Sequence, residues 1–245
     1  IEAIELDSVV NGVLNSLKQI QSQALNMGII DAPFLFEIET RPAGTRTEVL
    51  TDDDIIRLMN STEGWDSLRN IAKMQLLTGC RVSEVSGMKW EEIDMKVKTW
   101  TIPPERIKTE KGYKKMCRPH VIPLMPKMSE ILLQQRQHGT TGYVFKKSYA
   151  NGADTAYPPS SIGRWLKKEV KPDGMSHQLR RTVATRLADM SGMSEFDVKI
   201  ILNHAVSGQT AKYIHTQQLD RKREIYSKWH KHIDSLMVVK LKIAV

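Results

Sequence analysis

Only one part of the sequence has β-strand character, and helical spacing dominates everything else. Three short segments in that part are rich in Thr, Ile, Val and Trp and are separated by prolines and a glycine, namely 98–102, 105–109 and 118–123. Such a pattern predicts a hairpin or a small antiparallel sheet rather than a large one.

Helical patterns flank this region on both sides. Apolar residues recur at helical spacing over 8–29 and 65–79, and Thr51 can cap a helix whose first turn holds three acids. Further helices are predicted after Pro126, after Pro159, and over 178–190, 194–202 and 218–237. We therefore expect a mainly α fold with a small antiparallel β-sheet.

The N-terminal part is interpreted as the end of another domain. Residues 31–48 contain two prolines, a glycine and mixed charges, which is typical of a linker. The single helix over 8–29 is too little for a domain, and the chain begins at Ile1 without a methionine, as a fragment would. We expect residues 1–45 to hold the last helix of a truncated domain plus its linker, and residues 46–245 to form the main domain.

The overall charge favours a nucleic-acid partner without proving one. The formal net charge is +8 and the sequence pI about 9.4, which fits a nucleic-acid binder but also a merely basic protein. No apolar run is long enough for a membrane span, so no membrane partner is expected. The two cysteines, Cys80 and Cys117, make neither a disulfide framework nor a four-thiolate zinc site, and they favour a reducing cytoplasm.

Four separated segments contain residue types that can act on a phosphodiester. They are Thr78–Val85, Arg106–Thr109, Ser176–Thr182 and Ile201–His204, with Tyr213 nine residues after the last. Phosphodiester exchange without a metal needs a nucleophile, cations on the non-bridging oxygens and an acid for the leaving oxygen. Arginine, histidine, lysine and tyrosine can supply these functions.

Each residue alone has a simpler structural interpretation. Arg81 could form a surface ion pair, for instance with Glu84, and Tyr213 could be a packing residue. His177 could cap the helix that follows it, and His204 could be a core histidine. The other basic residues could form solvated faces: Lys108, Arg180 and Arg181. Only the order and spacing of the whole set favour a catalytic site.

In order and spacing, the set resembles the tyrosine recombinase, or phage integrase, family over residues 50–235, and more loosely from residue 8. That family shows Thr-Gly-x-Arg-x-x-Glu, a hairpin lysine, His-x-Leu-Arg, Leu-x-His and then Tyr. In this chain the pattern falls on Arg81 with Glu84, Lys108, His177 with Arg180, His204 and Tyr213. Two flanking stretches, Arg118–Leu124 and Leu219–Asp234, are similar to prophage and genomic-island integrases.

The resemblance implies that residues 46–245 have the fold of a tyrosine recombinase catalytic domain and that the helix within 1–45 is the last one of a core-binding domain. It also implies a mechanism without metal or cofactor. Arg81, Arg180 and His204 would bind the scissile phosphate. Tyr213 would attack it, forming a 3′-phosphotyrosine and releasing a 5′-hydroxyl.

The same resemblance implies supporting roles for further residues. Lys108 would protonate the leaving oxygen, His177 would exchange a proton with Tyr213, and Glu84 would orient a basic residue. Four more basic residues are expected to contact DNA phosphates: Lys111, Lys114, Lys115 and Arg181. The implied partners are double-stranded DNA attachment sites, further copies of the chain in a homotetramer on DNA, and an accessory DNA-bending or directionality factor, all in the bacterial cytoplasm.

Two other functions stay open at this point. A type IB topoisomerase or telomere resolvase shares the chemistry, although the integrase-like tail after Tyr213 argues against it. A catalytically inactive DNA-binding regulator could share the fold, although the intact set of catalytic residue types argues against that. A metal nuclease is disfavoured because no acids or histidines have ligand spacing; the one close pair, His230 and His232, is interpreted as a helix surface.

Overall fold

The computed structural model describes residues 2–35, 47–62, 64, 66–107, 118–148, 154–204 and 218–243. The chain divides into two compact units, Ile1–Thr47 and Glu48–Val245. In the first unit, helix α1 spans Glu2–Asn26, so it begins six residues earlier than the periodicity predicts. The side chain of Gln21 accepts hydrogen bonds from two backbone N–H groups beyond the helix, at Phe34 and Leu35.

The second unit is mainly helical, as predicted. Its helices are α2 (Asp52–Asn60), α3 (Asp66–Thr78), α4 (Val82–Ser86), α5 (Pro126–Gln135), α6 (Pro159–Glu169), α7 (Ser176–Ala188), α8 (Glu195–Leu202) and α9 (Leu219–Ile243). The predicted cap at Thr51 is confirmed, because its hydroxyl accepts the N–H of Asp54 at 3.2 Å while the Asp54 carboxylate accepts the Thr51 N–H at 3.1 Å.

The predicted small antiparallel sheet is also present. Strands β1 (Ile93–Asp94), β2 (Thr99–Ile102) and β3 (His120–Pro123) are ordered β1-β2-β3, and Trp100 of β2 lies opposite Ile93 and Ile122. The Trp100 side chain is fully buried, so the sheet packs one face into the helical core.

The prediction of an extended segment over 105–109 is wrong for its first part. Pro104–Arg106 form a 3-10 turn, closed by a hydrogen bond from the Arg106 N–H to the Pro103 carbonyl. Two consecutive prolines fix the backbone and remove two donors, so a strand ladder cannot continue through them. A second, two-stranded sheet was not predicted; it pairs β4 (Lys146–Ser148) with β5 (Asp154–Ala156).

Helix α3 lies at the centre of the core and contacts six other helices, α2, α4, α5, α6, α7 and α9. Eight of its residues are buried, including Ile71, Met74, Leu76 and Leu77. A helix surrounded in this way has a rigid backbone, because moving it would disturb every neighbour. The C-terminal end of α3 is therefore fixed in position, and so is the start of the turn that follows it.

The start of the second unit is attached to helix α7. The N–H of Leu50 donates to the Thr182 hydroxyl at 2.8 Å, in a buried setting. One residue earlier on α7, the Arg181 guanidinium donates to the Glu48 carbonyl at 3.1 Å. Both contacts fix the chain immediately before helix α2.

Candidate active site

The turn after helix α3 presents Arg81. Gly79 has a left-handed backbone with φ of 69°, and a Cβ added there would lie 3.0 Å from Val183 Cγ1. Only glycine satisfies both that conformation and that close approach without strain. The chain thus leaves α3 sharply, and Arg81 becomes the N-cap of the short helix α4 with extended backbone angles.

Glu84 holds Arg81 at both its backbone and its side chain. One carboxylate oxygen accepts the Arg81 N–H at 2.7 Å, and the other lies 3.1 Å from the guanidinium. Glu84 is 1% exposed, whereas the Arg81 side chain is 27% exposed. The buried carboxylate therefore orients an arginine that remains accessible to a ligand, which is a geometry suited to binding phosphate.

Arg180 joins two chain segments that are far apart in sequence. It lies on helix α7, is 4% exposed, and donates to the Gly79 carbonyl at 2.8 Å and to the Leu202 carbonyl at 2.6 Å. Burial first, and then the nearby charge of Arg81, lower the pKa of Arg180, yet an arginine stays charged at neutral pH. The guanidinium consequently links the turn before Arg81 to the end of helix α8.

The end of α8 presents His204 in a similar way. Asn203 adopts a left-handed conformation, with φ of 50°, and closes the helix. Its N–H and that of His204 both bond to the Lys199 carbonyl. The His204 residue is exposed immediately beyond this cap, so it is not the core histidine that the sequence left open.

His177 lies in the first turn of α7, three residues before Arg180. Desolvation lowers its pKa most, followed by the charges of Arg181, Arg180 and Arg81. The lowered pKa keeps the imidazole neutral near pH 7, able to accept a proton. It does not cap its helix; the Gln178 side chain accepts the N–H of the N-cap residue, at 2.9 Å.

Several predicted site residues lie outside the described part of the chain: Lys108, Lys111, Lys114, Lys115 and Tyr213. The described chain stops at Ile107 and resumes at Arg118, and it stops again at His204 and resumes at Gln218. The roles of these five residues therefore stay predictions.

Helix α9 contributes polar contacts, one of them buried, that sequence reasoning missed. The ammonium of Lys222 donates to the Val121 carbonyl at 2.7 Å and lies 3.4 Å from Nδ1 of His120, and burial lowers the pKa of Lys222 to about 8. Arg221 binds the Asp197 carboxylate of α8 with two hydrogen bonds of 2.6 and 2.7 Å. These contacts connect α9 to both β3 and α8.

The interpretation of His230 as a surface residue is wrong. It is 5% exposed, and its Nε2 lies 3.1 Å from the Leu77 carbonyl. The signal was present in the sequence, because Tyr226, Trp229 and Ile233 place His230 on the same apolar helix face.

Within the described residues, no three histidine, cysteine, aspartate or glutamate side chains are grouped as metal ligands would be. None of the described helices combines the length and the apolar character needed to cross a membrane.

Comparison with known proteins shows which family and which proteins the sequence of this chain is similar to. The model of the phage integrase family matches residues 48–219. The putative protein IntB of Escherichia coli is 27% identical over 194 residues, covering 74% of this chain and 48% of IntB. The prophage integrase IntF of the same species is 30% identical over 165 residues, covering 65% of this chain and 32% of IntF. The chain thus spans about half the length of these relatives, or less.

Among solved structures, a lambda integrase dimer bound to a COC′ core site matches with a TM-score of 0.57 and 18% identity. The match covers 82% of this chain and 73% of the lambda chain. At that identity the likeness shows the fold, which is that of a tyrosine recombinase catalytic domain with its small antiparallel sheets.

Proposed function

Because this chain belongs to the phage integrase family, we propose that it is the catalytic part of a site-specific recombinase that cleaves and rejoins DNA through Tyr213. The observation that carries the proposal is the position of Arg180. Its guanidinium donates to the backbone two residues before Arg81 and two residues before His204, so one buried cation holds both segments. A cluster of cationic and imidazole groups around one position is suited to a phosphodiester, whose charge grows in the transition state.

The phosphate would be bound by Arg81, Arg180 and His204. The bonds of Arg180 to Gly79 and Leu202 use two of its five N–H groups, and the others can face an anion. Arg81 is held by Glu84 but remains accessible, so it can donate to a second phosphate oxygen. Arginines that are already oriented need little reorganisation at the moment of reaction, which is the advantage of a preorganised site.

Covalent exchange would begin with attack of the Tyr213 oxygen on phosphorus. The P–O bond to the 5′-oxygen would break, leaving a 3′-phosphotyrosine and a 5′-hydroxyl. His177, neutral at pH 7, would take the tyrosine proton, and Lys108 would give a proton to the departing 5′-oxygen. The covalent ester conserves the energy of the phosphodiester bond, so religation needs no nucleotide.

The proposed partners are double-stranded attachment sites of a mobile element or prophage, in the bacterial cytoplasm, with four protomers acting together on DNA. A homologous fold occurs in a lambda integrase tetramer bound to a Holliday junction, with a TM-score of 0.54. An accessory DNA-bending or directionality factor and the phosphate contacts of Lys111, Lys114, Lys115 and Arg181 belong to the same proposal. We also propose that residues 1–45 hold the last helix of a core-binding domain plus its linker, and that residues 46–245 form the catalytic domain.

Covalent capture tests the proposal. A library of duplexes with randomised cores, each nicked beside the expected cleavage position, loses a short fragment after cleavage and traps the covalent complex. We expect an adduct that survives denaturing electrophoresis and maps by peptide sequencing to Tyr213, and none with Tyr213→Phe. An adduct on Tyr226 would contradict the assignment, and relaxation of supercoiled DNA without partner exchange would favour a topoisomerase.

A further inference from the structure

The end of helix α3 is bound by side chains from other helices. The last carbonyl groups of a helix have no partner within it and must find one elsewhere when they are buried. Four successive carbonyls at this end each accept a hydrogen bond from a side chain: Leu76 from Trp229 at 2.9 Å, Leu77 from His230 at 3.1 Å, Thr78 from Tyr226 at 3.0 Å, and Gly79 from Arg180 at 2.8 Å.

Three of the four donors come from a single element, helix α9. Tyr226, Trp229 and His230 lie on consecutive turns of one face, and all three are buried. Each is an aromatic ring with a polar atom at its rim, so it fills the core and still supplies a donor. Burial lowers the pKa of His230 to about 4, so the ring is neutral and its Nε2 carries the proton that the Leu77 carbonyl accepts.

The bound carbonyls lie immediately before the residue that the proposed chemistry needs. Thr78 and Gly79 form the turn that presents Arg81, and Cys80, between Gly79 and Arg81, is buried. Helix α9 begins at Leu219, six residues after Tyr213. The contact between helices α3 and α9 therefore fixes the turn that presents Arg81. The helix that makes this contact, α9, follows the proposed nucleophile Tyr213 closely in the sequence.

We infer that Tyr226, Trp229 and His230 are positioning residues for the phosphate chemistry. By binding the backbone at the end of α3 they fix the Arg81 turn, and Arg81 is aligned on phosphate while α9 is docked. The inference rests on the proposed function, in which Arg81 binds the scissile phosphate and Tyr213 attacks it. It assigns the helix after the nucleophile to the assembly of the phosphate site, in addition to its packing in the core.

The first test compares two variants of the same helix in the full chain. Tyr226→Phe keeps the ring and removes only the hydroxyl that binds Thr78. Ile233→Val removes one methyl group from the same buried face and no hydrogen bond. On a nicked duplex that the unmodified protein cleaves, with protein in excess, we expect Tyr226→Phe to slow covalent-complex formation about tenfold. Its DNA dissociation constant should change less than twofold, and Ile233→Val should cleave at the unmodified rate.

A double-mutant cycle separates positioning from general stability. If Tyr226 acts through Arg81, Tyr226→Phe should slow cleavage little further in an Arg81→Lys protein, whose long and flexible ammonium does not use the fixed turn. If the two substitutions multiply as independent defects, the inference is wrong. All rates are compared at a temperature at which circular dichroism shows each variant folded.

A second pair answers the same question if Tyr226→Phe does not fold. His230→Gln retains an N–H that can bind the Leu77 carbonyl, whereas His230→Leu has none. We expect the glutamine variant to cleave within about twofold of the unmodified protein and the leucine variant to be about tenfold slower. Unmodified rates in both Tyr226→Phe and His230→Leu would overturn the inference. Absence of any adduct with the unmodified protein would instead count against the proposed function.

Discussion

Arg180 binds the carbonyl of Leu202 at 2.6 Å, a buried hydrogen bond between residues that are 22 positions apart. The same guanidinium binds Gly79 at 2.8 Å, 101 positions away. A lysine carries its three N–H groups on one nitrogen, so it cannot bridge two carbonyls with the geometry of the arginine fork. The turn before Arg81 and the end of helix α8, which the proposed function assigns to the phosphate site, are therefore connected through one buried side chain.

We predict that Arg180→Lys both destabilises the second unit and disables cleavage. Leaving one buried carbonyl without a partner should lower the free energy of unfolding by about 1–3 kcal/mol. Loss of an oriented cation at the phosphate should slow covalent capture roughly 10²–10³-fold. Denaturant titration and the nicked-duplex assay measure the two effects. Arg223→Lys, at an exposed pair with Asp220, is the control and should change neither.

Gly79→Ala should destabilise the protein because it is disfavoured in two ways. A residue other than glycine in the left-handed region costs about 1–3 kcal/mol, and the new methyl would press on Val183 at 3.0 Å. The matched control is Gly163→Ala in helix α6, where no atom lies within 4 Å of the added Cβ. That control should be stabilised by about 0.5–1 kcal/mol. Equal melting temperatures for the two variants would show that the turn is not constrained as described.

The unfolding free energy should fall in acid partly because of His230. The folded pKa of about 4 lies below the ordinary value of 6.5, so the unfolded chain binds the proton more readily. The stability contributed by neutral His230 is complete above pH 6.5 and is lost as the pH falls through about 4. Between pH 7 and 4.5 the loss should be about 2–3 kcal/mol.

The His230→Gln variant isolates this contribution, because a glutamine side chain can donate a hydrogen bond to the Leu77 carbonyl but does not titrate. The nearby Asp234 and Lys127 remain in both proteins, as do His120 and His177, whose pKa values are also lowered. The difference between the two denaturation curves should therefore grow as the pH falls. Parallel loss of stability in both proteins would mean that His230 is not the titrating group.

We predict that Lys108 is the acid for the 5′-oxygen. A duplex with sulfur at the bridging 5′ position has a leaving group that departs without protonation, so it should rescue Lys108→Ala. General acid catalysis is worth roughly 10²–10⁴-fold, which makes the rescue measurable. Arg81→Ala should not be rescued, because its defect is in binding the phosphate. If the sulfur-substituted duplex rescues Lys111→Ala while Lys108→Ala cleaves the ordinary duplex normally, the acid is Lys111 and not Lys108.

The sequence predicted the elements of the fold better than their connections. The helix starting after Thr51 followed from a cap and three acids, which are local signals. The two-stranded sheet of Lys146–Ser148 and Asp154–Ala156 was missed because three-residue strands carry too little periodicity to be distinguished from a loop. The extended segment predicted over 105–109 included Glu105 and Arg106, which belong instead to the 3-10 turn that starts at Pro104.

The candidate site was identifiable from residue types and order, but its internal connections were not. The family motif contained both Arg81 and Glu84, and it implied that Glu84 orients a basic residue. The motif could not indicate that Arg180 binds the carbonyls of Gly79 and Leu202, because every residue has a backbone carbonyl and residue types do not show which ones are bound. The buried donors of α9 had a visible pattern, but an aromatic stripe at helical spacing indicates core packing alone until its polar atoms are traced to partners.

The attachment of the second unit's first residues to helix α7 has a mechanical consequence. Leu50 is bound at Thr182 and Glu48 at Arg181, and Asp52 forms an ion pair with Arg186 further along the same helix. Tension applied to the chain ahead of Glu48 would reach α7 before any other element of that unit. Helix α7 also carries Arg180 and His177, so this force would act directly on the helix that holds two of the proposed catalytic residues.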